Sequence, residues 1–294
     1  NSGVIHAGLY YKPESLKAKV CVNGAKRLTE WILERRLSYN KCGKVIVPTK
    51  PELDHQLDVL KERGISNGAE VEMIDSKTLC DMIPEARTST NRALWSPNTA
   101  VINPKEVLQS LYKEINDMGI ELILSANIVK LYKNNNQIIT SSNEVINYGH
   151  FINCSGLEAD RIAHMFSLGK QYRIIPFRGS YWQIKDTSKI KIKTNLYPVP
   201  DLNIPFLGVH FTPTTGINRI VTIGPTATLA LGRENYQGLQ SIEPILTLKN
   251  LTTITNQYIK NEGGFRRYVN EQSYLSILPF LVRSAQRLVP SIKS

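Results

Sequence analysis

Asn1-Ser2-Gly3-Val4-Ile5-His6-Ala7-Gly8-Leu9-Tyr10-Tyr11 opens the chain. It reads as the interior of a folded domain rather than as a solvated tail. Its only ionisable side chains besides two phenols are one imidazole and no carboxylate or amine, whereas disordered starts are polar and charged. Gly3 and Gly8 let backbone lie against a flat ligand, because no Cβ intervenes. His6 stands between them and can exchange a proton or hydrogen-bond near neutral pH. Taken alone, a histidine beside glycines is ordinarily a loop or core residue.

Outward from this segment the chain alternates helices and strands. Leu16, Val20, Leu28, Ile32 and Leu33 recur at helical spacing, so the pattern predicts a helix over 15–36 with Ser15 as its cap. Gly43 to Thr49 is a short β-branched strand. A second helix runs from Pro51 to Arg63 and ends near Gly64. Val71 to Ile74 is a strand, and Asp75 or Ser76 starts a small helix that stops by Pro84. Asn103 is an N-cap with Pro104 at the first helical position, where its missing N–H does no harm. Val107, Leu108, Leu111, Ile115 and Met118 then form one apolar face, and Gly119 stops the helix. Ile120 to Tyr132 reads as a strand region, followed by the Asn134-Asn135-Asn136 turn and the returning strand 137–140. Phe151-Ile152-Asn153-Cys154-Ser155-Gly156 is an apolar strand ending in small residues, with a helix over 158–166. Such a junction presents free N–H groups to a phosphate, yet it is common in α/β proteins with no ligand there. From Arg173 to Leu231 the pattern is β-rich, with strands at 181–184, 206–211 and 219–224. Helices are expected over 243–258 and 273–288.

Composition bounds the function. With 294 residues, 41% hydrophobic and 21% charged, the chain is long enough for one large domain or two, and it is globular. No apolar run has the length of a membrane span. Cys21, Cys42, Cys80 and Cys154 show no metal-type spacing, so no metal site is expected and the thiols read as reduced. The formal net charge of +11 suits an anionic substrate, but the basic residues form no tract with interleaved aromatics. Nucleic acid is therefore not an expected partner. A mildly basic solvated surface is the bland alternative.

Several blocks in fixed order carry a family resemblance. They are 1–31; Asn195-Leu196-Tyr197-Pro198-Val199-Pro200-Asp201; Pro205-Phe206-Leu207-Gly208-Val209-His210-Phe211-Thr212-Pro213; Ile175-Pro176-Phe177-Arg178-Gly179; and Gly224-Pro225. Together they resemble the L-2-hydroxyglutarate dehydrogenases and oxidases, flavoenzymes of the D-amino-acid-oxidase-like superfamily, over nearly the whole chain. The resemblance implies an α/β (α+β) fold: a Rossmann-like FAD-binding domain interwoven with a substrate domain on a large antiparallel sheet. It assigns 1–37 and 93–170 to the FAD domain, and 38–92 and 171–294 to the substrate domain. No Gly-x-Gly-x-x-Gly occurs in the chain. The family places that phosphate-binding turn ahead of the first block, and a glycine-containing return to the flavin after the last helix. The chain is thus expected to be truncated at both ends, with an incomplete FAD domain and impaired FAD binding.

The same resemblance implies the chemistry. FAD would take a hydride from a 2-hydroxy acid while a base takes the hydroxyl proton. His6 and His210 are the two catalytic candidates, with the choice of base left open; His55, His150 and His164 read as surface or structural. A dicarboxylate needs donor-rich anchors. Arg178 can grip a carboxylate bidentately, Tyr197 and Thr212 add hydroxyls, and Lys12 adds a second charge. The bland reading of Arg178 is an ion pair at a domain crossing. Asn1, Ser2 and Gly3 are implied near the flavin ring, Val129 near the adenine, and Ser155 and Gly156 near the ribose-phosphate. Thr226 stands where the family usually has Asn. The expected function is oxidation of L-2-hydroxyglutarate to 2-oxoglutarate, with electrons passed to oxygen or to a quinone or membrane-surface acceptor. The expected location is cytoplasmic, at most peripheral to the inner membrane. The alternatives are a related amino-acid or glycerol-phosphate oxidoreductase and a non-catalytic remnant. The oligomeric state is left open.

Overall fold

The computed structural model describes residues 2–185, 190–200, 208–216 and 220–293. The chain begins with β1 (Val4–Ile5) and α1 (Leu16–Glu34). Ser15 caps α1 by accepting from the amide of Ala18 at 3.2 Å, which satisfies one of the unpaired donors of a helix start. There follow β2 (Tyr39–Asn40), β3 (Lys44–Val47), α2 (His55–Ser66), β4 (Glu72–Asp75) and α3 (Ser76–Met82). Asp75 caps α3 through the amide of Thr78. Gly64 does not end α2. It lies buried inside the helix, where a Cβ would fall 3.0 Å from Leu9 and 3.1 Å from Val71 and both would have to give way. Next come β5 (Arg92–Ser96), β6 (Ala100–Ile102) and α4 (Pro104–Asp117).

The chain continues with β7 (Ile128–Tyr132), β8 (Gln137–Thr140), β9 (Val145–Asn147), α5 (Ala159–Met165), β10 (Phe177–Arg178), β11 (Trp182–Gln183) and β12 (Asn195–Pro198). It ends with β13 (His210–Pro213), β14 (Val221–Gly224), β15 (Thr228–Leu229), α6 (Pro244–Lys260), α7 (Phe265–Leu275) and α8 (Leu278–Ala285). The contacts divide this into two compact units. One comprises 1–111, 179–228 and 257–294; the other comprises 112–178 and 229–256.

The first unit is built on a seven-stranded sheet in the order β11-β14-β13-β12-β3-β5-β4. Its pairs are antiparallel except β12 with β3, where Leu196 lies beside Val45 and Tyr197 beside Ile46. Alternation along the strands sorts the side chains onto two faces. Val45, Val47, Leu196, Phe211 and Ile223 pack into one core with Leu281, Ala285, Leu288 and Val289 from α8 and the turn after it. Ile46, Leu94 and Tyr197 face the other way, against Leu57 and Leu60 of α2 and Leu9 of the opening segment. A small sheet, β1-β6-β2, adds a third cluster around Ile5, Ile32 and Ala100. The second unit contains the antiparallel β7-β8-β9 sheet. It also holds a buried ion pair, with Arg233 Nη2 2.9 Å from Asp160 Oδ2.

Several expectations are corrected. The apolar face of α4 is not buried: Leu108 is 65% exposed and Met118 68%. Val107 packs against the Ile5–Ile32–Ala100 cluster, but periodicity reports only a face fit for burial, and most of this one stays exposed. Only Ile128–Tyr132 of the region 120–132 is a strand, and the run 151–156 forms none. These apolar runs find no ladder partner among the described residues, and propensity alone does not make a strand. The helix expected over 273–288 is two helices, α7 and α8. The chain breaks at Ile277, which is extended, and Pro279 then takes an early position in α8, where it needs no N–H. The strand 206–211 begins at His210, and residues 201–207 lie outside the described residues. The expected strand 219–224 is described from Val221, Arg219 also lying outside.

Candidate functional site

Alternation on the seven-stranded sheet also assembles a polar cluster. Leu196 and Phe211 are cross-strand partners on the α8 side. Their chain neighbours Tyr197, His210 and Thr212 therefore point to the opposite face. Lys44, two residues from Ile46 and level with Asn195 on β12, lies on that face too. The opening segment runs over it and delivers His6 and Tyr10. Lys44 Nζ is 3.1 Å from His6 Nδ1, and lies 4.6 Å from the ring centre of Tyr197 and 5.0 Å from that of Tyr10. The rings of Tyr197 and His210 stack with centres 3.8 Å apart. Gly43 makes the approach of β3 possible: its φ is +66°, and a Cβ there would fall 1.9 Å from the indole of Trp95.

The electrostatics are those of a buried polar cluster. Lys44 is fully buried, and no carboxylate among the described residues pairs with it. Burial lowers its amine from 10.5 to about 7, although the Cys21 and Cys42 thiols partly oppose this. Burial, with Lys44 and His210 close by, lowers His6 to about 2. Burial lowers His210 to about 4, against the hydrogen bond to Gly208 and with the help of Lys44. Both imidazoles are neutral at pH 7. Burial raises the Tyr197 phenol to about 12, even though it shares a hydrogen bond with Thr212. Tyr10 is pushed up by burial and by Tyr197, so it stays a phenol. Its Oη is buried with no hydrogen-bond partner among the described residues.

The structure thus brings together His6, His210, Tyr197 and Thr212. Two members of the cluster, Lys44 and Tyr10, were missed in the sequence. The only signal for Lys44 was a lysine at the head of an otherwise apolar strand. Lys12 is exposed at the surface, where its carbonyl accepts from Ser15 Oγ at 2.6 Å. Arg178 is half-buried on β10, in a segment that clusters with the second unit. Thr226 is buried, and its Oγ1 accepts from the amide of Ser180 at 3.3 Å. His164 Nε2 is 3.1 Å from the carbonyl of Gly169, which is a structural role.

Of the residues implied for flavin, Asn1 lies outside the described residues. Ser2 Oγ caps the amide of Val4. Gly3 adopts φ +70°, and a Cβ there would press on the Ile102 carbonyl at 3.2 Å. Val129 is 57% exposed on β7. Ser155 and Gly156 are exposed at the turn before α5, Gly156 with φ +54°. Among the described residues there is no cluster suited to a metal ion, and the four cysteines are free thiols. No helix among them is long and apolar enough to cross a membrane.

A mixed α/β fold whose largest sheet carries a buried histidine–lysine cluster defines the class. The chain matches the FAD dependent oxidoreductase family over residues 1–293 and belongs to it. Curated relatives include the mitochondrial L-2-hydroxyglutarate dehydrogenase of Caenorhabditis elegans, 36% identical over all of this chain and 68% of the relative. The Homo sapiens protein of the same name is 32% identical over 99% of this chain and 65% of its own length. The chain therefore spans about two thirds of these relatives. In fold it is similar to the L-alpha-glycerophosphate oxidase of Mycoplasma pneumoniae with FAD bound. That match has a TM-score of 0.70 at 19% identity, over 100% of this chain and 68% of the other. It is also similar to glycine oxidase from Geobacillus kaustophilus, with a TM-score of 0.66 at 14% identity over 98% and 67%.

The donor set of the cluster suits an acidic ligand. A buried amine, an unpartnered phenol and two neutral imidazoles, with no carboxylate in the cluster, form a donor set for an anion.

Proposed function

We propose that the chain oxidises L-2-hydroxyglutarate to 2-oxoglutarate with FAD, passing the electrons to a quinone or to oxygen. The observation that carries this reading is the Lys44–His6–His210 cluster: a buried cation with no counter-ion among the described residues, beside two neutral imidazoles. The names of the curated relatives supply the particular diacid. FAD, when bound, supplies the acceptor for the hydride that leaves C2. The protein's part is to hold the carboxylates and to take the hydroxyl proton on an imidazole nitrogen. Lys44 and the Tyr10 hydroxyl offer donors to one carboxylate. Arg178, with Thr212, Tyr197 and Lys12, completes the substrate set we propose. Ser2 and Gly3, with Asn1, would meet the ring, and Val129, Ser155 and Gly156 the adenine and ribose-phosphate end.

We assign 1–37 and 93–170 to the cofactor side and 38–92 and 171–294 to the substrate side. In support, every strand of the seven-stranded sheet lies in the latter except β5, which straddles the boundary. The four free thiols support a reducing compartment. We place the chain in the cytoplasm, at most peripheral to a membrane that holds the acceptor.

Anaerobic mixing of FAD-loaded protein with candidate substrates tests the reading. L-2-hydroxyglutarate should bleach the flavin absorbance, and its D-enantiomer, glycerol 3-phosphate and glycine should not. Bleaching by glycerol 3-phosphate or glycine alone would replace the substrate. No bleaching by any of them, with FAD bound at one equivalent, would make the chain a non-catalytic member of the family.

A further inference from the structure

The two histidines of the cluster are not equivalent. His210 Nδ1 lies 2.8 Å from the carbonyl oxygen of Gly208. A carbonyl only accepts, so Nδ1 carries the hydrogen and Nε2 is the bare nitrogen of a neutral ring. His6 meets Lys44 instead, through Nδ1 at 3.1 Å. An ammonium has three donors and no lone pair, so it makes Nδ1 of His6 the acceptor and puts the hydrogen of a neutral ring on Nε2.

We propose that Lys44 is the positioning residue that divides the work between the histidines: its ammonium donates to His6 Nδ1 and fixes His6 as an Nε2–H donor, leaving His210 Nε2 to take the hydroxyl proton. The inference rests on the hydroxyacid reading for what the proton is taken from, but the tautomers do not depend on it. In the step assigned to these residues the substrate O–H breaks and an N–H forms on His210 Nε2. FAD, when bound, would accept the electron pair of the C2–H bond as hydride, leaving C2=O.

The surroundings of Lys44 favour this arrangement. The faces of Tyr10 and Tyr197 lie within cation–π range. The titratable groups that face it are His6 and Tyr10 from the opening segment, Cys21 from α1, Cys42 ahead of β3, Tyr197 from β12 and His210 from β13. None is a carboxylate. Between the two contacting bases the proton resides on the amine, the intrinsically more basic group; burial lowers both, and Lys44 lowers His6 further.

Nitrogen NMR of the histidine rings tests this without substrate or flavin. The 294-residue chain is labelled with 15N-histidine, and the two rings are assigned with His6→Gln and His210→Gln. At pH 6, His6 should show a bare Nδ1 and a protonated Nε2, and His210 the reverse. Lys44→Met should release His6 into averaged tautomers while His210 stays as it was. Lys44→Arg, which keeps a donor, should restore the wild-type His6 pattern. If Lys44→Met does not fold, a pH titration of the wild type replaces it: the His6 Nδ1 signal should move as the amine loses its proton near pH 7. A protonated Nδ1 on His6 at pH 6, or His6 signals indifferent both to Lys44→Met and to that titration, would overturn the proposal. Failure to oxidise L-2-hydroxyglutarate would overturn the substrate reading and leave these spectra unchanged.

Discussion

Replacing Lys44 by methionine should make the protein more stable at neutral pH, and the gain should vanish in alkali. Lys44 is fully buried, with no carboxylate partner among the described residues, and its amine is lowered from 10.5 to about 7. Below pH 7 the amine is protonated in both states, and the folded state bears the whole cost of holding an ammonium out of water. Between about 7 and 10.5 the unfolded chain binds a proton that the folded chain does not, so stability rises with pH. Above that range both forms are neutral and the cost is gone. At about 1.4 kcal/mol per pH unit, the gap between 10.5 and about 7 comes to about 5 kcal/mol. Lost contacts of the lysine stem oppose a smaller part, since Met has nearly the same reach. The advantage of Lys44→Met over wild type should therefore shrink by about 3–5 kcal/mol between pH 6 and pH 10. Urea unfolding followed by tryptophan fluorescence reads this in the right place, because Trp31, Trp95 and Trp182 all belong to the unit that holds Lys44. The difference between the two proteins cancels other groups that titrate in the same range. A difference that stays constant from pH 6 to pH 10 would refute the buried, unpaired amine.

His210→Ala in FAD-loaded protein should lower kcat by about 10²–10⁴ while flavin content is kept, as expected for loss of a positioned base. His6→Ala should act on KM as well, and steady-state dye reduction separates the two. Arg178→Lys keeps the charge but loses the planar fork. If Arg178 grips a carboxylate, affinity for L-2-hydroxyglutarate should fall about ten- to a hundredfold, measured as KM and as inhibition by a non-reacting diacid; unchanged values would return Arg178 to an ion-pair role. In the second unit, Arg233→Met leaves Asp160 buried without its partner and should cost about 3–5 kcal/mol, seen as lost amide-exchange protection across α5. Burial pushes the Asp160 carboxyl up, but Arg233 and the amides of Ile174 and Arg161 outweigh it and hold it well below the usual range. The wild-type pair should thus stabilise fully above pH 4 and progressively less as the pH falls, whereas the variant should lose that dependence.

Local grammar was legible wherever a few adjacent residues decide the outcome. Ser15 and Asp75 cap the helices that follow them, and Asn103-Pro104 starts α4. The short strands β1, β2, β5 and β6 were not legible, because a period of two is hard to read over so few positions without flanking turn signals. The exposed face of α4 and the unpaired run at 120–124 show the complementary limit: sequence states what a segment can bury, while only the packed chain states what meets it. At the site, His6, His210, Tyr197 and Thr212 were reached through a family resemblance rather than through periodicity. The strand register accounts for three of them after the fact, since Tyr197, His210 and Thr212 sit on the face opposite Leu196 and Phe211. Lys44 escaped because a lysine heading a strand reads as its solvated flank. Its burial depends on β12 and β5 closing over both sides of β3, which is a property of the sheet and not of the strand.

The opposite tautomers proposed for the two imidazoles match an alcohol better than they match its oxidation product. A hydroxyl can accept one hydrogen bond and donate another. It can accept from His6 Nε2–H while it donates to His210 Nε2. The ketone formed by oxidation only accepts, so it keeps the first contact and loses the second. After the step His210 is an imidazolium in a pocket that lowers its pKa to about 4, a state the pocket disfavours and from which the proton readily departs. The ammonium of Lys44 has the reverse history. Without an anion it is a buried charge with no carboxylate counter-ion among the described residues, and a substrate carboxylate would offset that cost on arrival. One residue therefore accounts both for the preference for an acid and, through His6, for the direction in which the alcohol is held. A carboxylate side chain beside Lys44 would relieve the buried charge within the protein itself, and would remove the reason for an anion to bind.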